Sequence, residues 1–65
     1  MNNTDSQSIQ AQNLVRGDII LFNGGKRETV RKLIKQRDNR VLVKTDIHPD
    51  GILARDKQLI TIVPR

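Results

Sequence analysis

One short segment carries residue types that could do chemistry. Asp46, His48 and Asp50 alternate in TDIHPDG, so an extended backbone would place three metal-binding or acid–base groups on one side. Pro49 and Gly51 are turn formers, however, and turns favour Asp because its carboxylate accepts hydrogen bonds from nearby backbone amides. We interpret the segment as an exposed turn and predict no metal ion there.

The rest of the chain shows no pattern typical of an enzyme or of a cofactor site. There is no cysteine, which removes disulfides and thiolate zinc sites. His48 is the only histidine, no Ser, His and acid set is visible, and the four glycines form neither a P-loop nor a dinucleotide-binding motif. A chain of 65 residues also leaves little room for a deep cleft. We therefore predict a binding protein without catalytic residues, metal or cofactor.

The first residues, MNNTDSQSIQAQN, lack the basic region and apolar run of a signal peptide or membrane helix. Together with the absence of cysteine, this favours a cytoplasmic protein that does not insert into membranes. Residues 1–9 are rich in Asn, Gln and Ser, which predicts a flexible N-terminal tail. We expect Ile9 and Ala11 to dock where the chain enters a single domain spanning residues 10–65.

Positive charge is concentrated in this predicted domain. All 12 Lys and Arg residues lie between Arg16 and Arg65, and the formal net charge is +5. Residues 26–44 contain eight basic and two acidic residues, a local net charge of +6. A field of this sign attracts nucleic acid, acidic protein surfaces or anionic lipid. The predicted binding residues are Lys26, Arg27, Arg31, Lys35, Arg37, Arg40 and Lys44.

Two kinds of partner fit this charge. A basic β-hairpin over residues 29–45 could contact RNA or DNA phosphates without reading sequence. Because Phe22 is the only aromatic residue, duplex or structured RNA fits better than single strands, which stack on aromatic rings. Alternatively, the chain is a protein-interaction or accessory subunit that docks on an acidic partner.

The arrangement of the charge would discriminate between these partners. One concave basic face would favour nucleic acid, whereas an apolar patch rimmed by Arg would favour protein. A third interpretation gives the charges no partner at all, since Lys and Arg also keep small β-domains soluble and blunt their edge strands.

Short apolar runs between turn formers indicate strands. The runs DIILF, VRKLI, RVLVKT, GILA and LITIV are separated by NGGK, RDNR, HPDG and RDKQ. Asp38 and Asn39 tolerate the left-handed backbone of a tight hairpin turn, and Gly24 and Gly25 can take positive φ. Five short strands at a spacing of about ten residues are typical of a small barrel or sandwich.

The segment RETVRKLIKQRDN leaves two interpretations open. Val30, Leu33, Ile34 and Arg37 fall at the i, i+3, i+4 and i+7 positions of an amphipathic helix. A strand would instead place Val30, Lys32 and Ile34 on one face. We favour the strand because the flanking segments fit hairpin turns.

The stretch LVRGDIILFNGG predicts how the first strand begins. Leu14 supplies an apolar anchor, Gly17 permits a turn, and Asp18 can accept hydrogen bonds from backbone amides. The predicted core consists of Leu14, Ile19, Leu21, Val30, Ile34, Val41, Val43, Leu53, Ile60 and Ile62.

Residues 14–46 resemble SH3-like barrels, including the KOW-type domains of ribosomal proteins and transcription factors. The shared layout is a hydrophobic residue, the Gly17–Asp18 pair, a short strand, a glycine-bearing loop and two further strands. The Gly17–Asp18 pair before a strand is also similar to the start of the β-fold in intein and Hedgehog-type autoprocessing domains. The chemistry of those domains needs a nucleophilic Cys or Ser with an assisting His. The resemblance implies an all-β fold, a small five-stranded, mostly antiparallel SH3-like barrel.

Overall fold

The computed structural model of the chain describes residues 6–65. Over these residues the fold is all-β, as predicted, with six antiparallel strands and no α-helix. Single 3-10 turns occupy Ala11–Asn13 and Asn23–Gly25. The strands are β1 (Gln7–Gln10), β2 (Ile19–Leu21), β3 (Arg27–Lys35), β4 (Arg40–Thr45), β5 (Ile52–Arg55) and β6 (Leu59–Ile62).

The strands form one sheet in the order β1-β6-β2-β3-β4-β5. Strands β2 to β6 correspond to the five predicted strands, and β1 is additional. Within the described residues, β1 and β5 end the strand order and are not paired with each other. The prediction of a closed, five-stranded barrel is therefore wrong in strand number and in closure.

The additional strand lies in the segment predicted as a flexible tail. β1 pairs with β6 from Gln7 opposite Ile62 to Gln10 opposite Leu59. The tail prediction for residues 1–9 is thus wrong for residues 7 and 8, and residues 1–5 lie outside the described residues. Polar side chains do not prevent this pairing, because the ladder is made by backbone groups. Ile9 packs against the core, as expected.

The segment with two interpretations is a strand. β3 pairs with β2 on one side and with β4 on the other, and these two ladders override the helical spacing of its apolar residues. Asp38 and Asn39 have φ values of 63° and 60°, which confirms the predicted left-handed turn into β4. The amide of Gln36 donates to the carbonyl of Arg40 at 2.8 Å and closes the hairpin.

β3 changes the direction of its side chains midway. Its register with β4 shifts between Val30 and Lys32, so Arg31 is the extra residue of a β-bulge. Regular alternation would place Val30, Lys32 and Ile34 on one face, as predicted. Instead Val30 is buried in the core, whereas Ile34 pairs with Leu42, which alternates with buried residues of β4 and faces away from the core.

The core lies on the inner face of the sheet. The prediction placed Ile19 and Leu21 in the core, but the structure shows the reverse orientation of β2. Ile20 pairs with Ile62 and is buried, whereas Ile19 and Leu21 are half-buried. Ile34 and Leu53 were wrongly assigned to the core, because both lie on the opposite face. The buried hydrophobic residues are Ala11, Leu14, Ile20, Val30, Val41, Val43 and Ile62.

Hydrogen bonds to Asp18 stabilise the segment that leads into β2. Gly17 has a φ of 97°, and the carboxylate of buried Asp18 accepts a hydrogen bond from the amide of Val15 at 2.9 Å, as predicted. Arg65 donates from Nε and Nη2 to the two carboxylate oxygens at 3.0 and 2.9 Å. This hydrogen-bonded guanidinium lowers the pKa of Asp18.

Candidate binding surface

Strands β3, β4 and β5 present one face away from the core. On β4, Val41 and Val43 are buried, so the residues that alternate with them point outward. The register then identifies the residues on β3 and β5 that share this side. We call it the outer face, and its residues are Lys32, Ile34, Arg40, Leu42, Lys44, Leu53 and Arg55.

An apolar row crosses the middle of the outer face. Ile34 lies opposite Leu42, and Leu42 lies opposite Leu53. Ile34 and Leu42 are half-buried, and Leu53 is 51% exposed. Because neighbouring strands are about 4.8 Å apart, the row is about 10 Å long.

A pair of basic residues borders the row on each side. Lys32 lies opposite Lys44 on one side, and Arg40 lies opposite Arg55 on the other. Lys44 and Arg40 each lie two residues from Leu42 along β4, so the two basic pairs are about 13 Å apart. The outer face therefore combines a narrow apolar centre with two cationic borders.

The two cations of each pair repel each other and, within residues 6–65, form no salt bridge, although Asp38 and Asp56 line a groove with Arg40 and Arg55. Like charges directly opposite each other in a sheet are destabilising. Within residues 6–65, the salt bridges join His48 to Glu28 and Arg65 to Asp18, and none involves an outer-face cation. Repulsion across both borders would be relieved by a negatively charged binding partner.

Gly51 leaves room for the side chain of Leu42. Its φ of 96° lies in the region that favours glycine, and a Cβ at this position would stand 2.6 Å from Cγ of Leu42. Any other residue at position 51 would therefore displace Leu42. The central side chain of the apolar row therefore packs directly against the backbone at Gly51.

The structure divides the seven predicted binding residues among separate regions. Arg40 and Lys44 belong to the outer face. Arg31, exposed at the bulge, shares an open groove with Lys32 and Lys44. Arg37, in the hairpin turn, shares another groove with Arg40.

The other predicted residues lie elsewhere. Lys26 precedes β3, and Arg27 lies opposite Leu21 at the far end of that strand. Lys35 lies opposite buried Val41, so it points to the other side of the sheet.

Five of the seven outer-face residues were not among the predicted binding residues: Lys32, Ile34, Leu42, Leu53 and Arg55. Lys32 and Ile34 were missed because the bulge reverses the alternation of β3. Leu53 and Arg55 lie beyond the basic segment in sequence, and only the pairing of β5 with β4 brings them next to Leu42 and Arg40. The sequence signal for β5 was the short apolar run GILA between the turn formers HPDG and RDKQ, and this signal does not identify the strand that pairs with β5.

The segment TDIHPDG forms a turn, as predicted, but it contacts Glu28, which sequence reasoning did not anticipate. Glu28 is buried and accepts a hydrogen bond from Oγ1 of Thr45 at 2.7 Å, and Nδ1 of His48 lies 2.8 Å from the same oxygen. Burial raises the pKa of Glu28, but the hydrogen bonds from Thr45 and His48 outweigh it, and the pKa is lowered overall. This cluster fastens the β4–β5 connection to β3.

The chain matches no protein-family model, no curated protein and no solved structure. Within residues 6–65, no three His, Asp or Glu side chains are grouped so that they could hold a metal ion. No helix in this part of the chain has the length and apolar character needed to cross a bilayer.

Proposed function

We propose that the chain is a small, basic, non-enzymatic binding module whose outer face docks on an acidic protein surface. The observation that supports this proposal is the apolar row with basic residues on both sides. Aliphatic side chains stabilise a complex when a partner removes them from water. Phosphate contacts alone would need the basic residues but not the row between them.

The dimensions of the outer face favour a transient complex. Its centre measures about 10 by 13 Å, which is far smaller than the roughly 800 Å² per partner of a standard stable interface. Charges at the rim of an interface mainly increase the association rate, and salt screens them. We therefore expect weak binding that becomes weaker as salt is added.

RNA or DNA is the second candidate partner. The two grooves add Arg31 and Arg37 to the four cations of the outer face, which makes a row of six positive charges, although Asp46 and Asp38 line the same grooves. Such a row can contact successive phosphates. Against this candidate, the apolar row of Ile34, Leu42 and Leu53 lies between the cations, and its aliphatic side chains offer no hydrogen bond to a phosphate and no aromatic ring to a single-stranded base.

The SH3-like arrangement of β2 to β6 is also part of the proposal. It is supported by the order of features that begins with Gly17 and Asp18 and continues through a glycine-bearing loop into two paired strands. Small β-domains of this kind commonly bind partners through one face or groove of the sheet.

An amide chemical-shift titration of the isotope-labelled protein tests the proposed function. The probes are a synthetic peptide of glutamate and leucine, polyglutamate, and a duplex RNA, each at low salt and at about 150 mM salt. We expect the peptide that contains leucine to shift the amides of Leu42, Lys44 and Leu53, and to bind more tightly than polyglutamate. Shifts produced by the RNA alone, centred on Arg31 and Arg37 and retained at the higher salt, would overturn the proposal in favour of nucleic acid.

A further inference from the structure

We infer that the partner presents an acidic amphipathic α-helix, which lies along the apolar row and crosses strands β3, β4 and β5. This inference rests on the proposed function and specifies the partner element that the outer face accepts. Three features of the outer face support the inference: the length of the apolar row, the distance between the basic pairs on its two sides, and the positive charge of those pairs.

The length of the apolar row matches the spacing of apolar residues on a helix. Helical residues at positions i, i+4 and i+7 lie on one side and span about 10.5 Å. The row formed by Ile34, Leu42 and Leu53 is about 10 Å long. Three apolar side chains of a helix would therefore each meet one aliphatic side chain of the sheet.

The distance between the basic borders matches the width of a helix. An α-helix with its side chains is about 10–12 Å across, and the two basic pairs are about 13 Å apart. A helix along the row would lie between the lysine pair, Lys32 with Lys44, and the arginine pair, Arg40 with Arg55. Acidic residues on both flanks of its apolar stripe would then reach a cation on each side.

An extended peptide fits the outer face less well. Along the row, residues on one side of a strand repeat every 6.6 Å or so, and three of them span about 13 Å, which exceeds the row. An extended peptide lying over β4 would match Lys44, Leu42 and Arg40 in spacing. It would, however, set its backbone amides and carbonyls against side chains of a sheet face that offers no backbone partners, whereas a helix satisfies its backbone internally.

Two synthetic peptides with the same numbers of leucines and glutamates test the inference. In the first, leucines occupy positions i, i+4 and i+7 with glutamates on both flanks, and a hydrocarbon staple on the solvent side holds the helix. The second contains the same residues in strict alternation and therefore favours an extended chain. Fluorescence anisotropy gives the Kd of each for the full chain. We expect the helical peptide to bind about tenfold more tightly.

A substitution on the outer face and a matched control connect this binding to the row. Leu53→Gln removes an exposed apolar side chain of the row, and Leu59→Gln removes one that is 68% exposed on β6, away from the outer face. We expect L53Q to weaken binding of the helical peptide about fivefold and L59Q to leave it unchanged. Circular dichroism of both variants establishes that each is folded.

Three results would overturn the inference in different ways. Equal affinity for the two peptides, lost in L53Q, would exclude a helical partner and leave the proposed acidic docking intact. Helix binding unaffected by L53Q would show that the helix binds elsewhere. If neither peptide binds and duplex RNA does, the proposed function fails together with the inference.

Discussion

Arg40 on β4 lies directly opposite Arg55 on β5, and both residues are exposed on the same face of the sheet. Such a like-charge pair destabilises a sheet by about 0.2–1 kcal/mol. Lys32 and Lys44 repeat the arrangement on the other side of the apolar row. Charges that destabilise the folded chain therefore lie on the surface that we propose for binding. Such a trade-off between stability and function is typical of functional sites.

Arg55→Glu should make the fold more stable and binding weaker. The new carboxylate would attract Arg40, so we expect the free energy of unfolding to rise by about 0.5 kcal/mol. The same change removes one cation that faces an acidic partner, and the affinity for the stapled acidic peptide should fall about tenfold. Urea denaturation and fluorescence anisotropy measure the two effects. Lys26→Glu is the matched control, because it makes the same change of charge at an exposed residue that precedes β3, away from the outer face.

Gly51→Ala should destabilise the chain more than Gly24→Ala. Both glycines have positive φ, at 96° and 82°, so a Cβ costs about 1–2 kcal/mol of strain at either position. Only at position 51 would the Cβ also collide with Leu42, since nothing lies within 4 Å of it at position 24. We expect an additional loss of about 1–3 kcal/mol for G51A in urea denaturation. Equal losses in the two variants would contradict the close approach of Leu42.

Thr45→Val should destabilise the fold through Glu28. Thr45 is 1% exposed, and valine has a similar shape but cannot donate to Oε1 of Glu28 or accept from the amide of His48. We expect the free energy of unfolding at pH 7 to fall by about 1–3 kcal/mol.

The same variant should be less sensitive to acid. In the native chain the pKa of Glu28 is lowered from 4.5. Ionised Glu28 therefore contributes its full stabilisation above pH 4.5, and this stabilisation is lost as the pH falls through the lower pKa of the folded chain. Removing the Thr45 hydroxyl raises the folded pKa towards the unfolded one. The free energy of unfolding, measured across this pH range, should thus decrease less in T45V than in the native chain. An equal decrease in both would assign the acid sensitivity to other carboxylates.

Arg65→Gln should raise the pKa of Asp18. The guanidinium hydrogen bond is the main cause of the lowered pKa, and without it the carboxylate keeps burial, which acts in the opposite direction. A carbon-detected NMR titration of the Asp18 carboxyl measures the change directly. Arg37→Gln removes an exposed arginine from the hairpin turn and should leave the titration of Asp18 as it is in the native chain.

Local features of this fold were predictable because they depend on residues close in sequence. The left-handed turn at Asp38 and Asn39, the positive φ of Gly17 and the hydrogen bond accepted by Asp18 all follow from the conformational preferences of single residues. The choice of strand for β3 followed from the turns on either side of it.

Features that depend on strand neighbours were not predictable from the sequence. β1 is held by its pairing with β6, which begins about fifty residues later, and its polar side chains gave no sign of it. The inward direction of Ile20 is set by its opposite residue, Ile62. Alternation shows that β2 has two faces, but it does not show which of them the rest of the chain covers.

The bulge at Arg31 has a genetic consequence. Ahead of it, Glu28 and Val30 point to the core, and beyond it Lys32 and Ile34 point to the outer face. Loss of the codon for Arg31 would remove the extra residue, and a regular ladder would still place Lys32 opposite Lys44 and Ile34 opposite Leu42. Insertion of one codon directly after it would instead exchange the faces of every later side chain in β3. A lysine would then turn inward and the apolar row would lose its first member, although no residue of the row had been substituted. The outer face therefore tolerates a deletion at position 31 better than an insertion beside it.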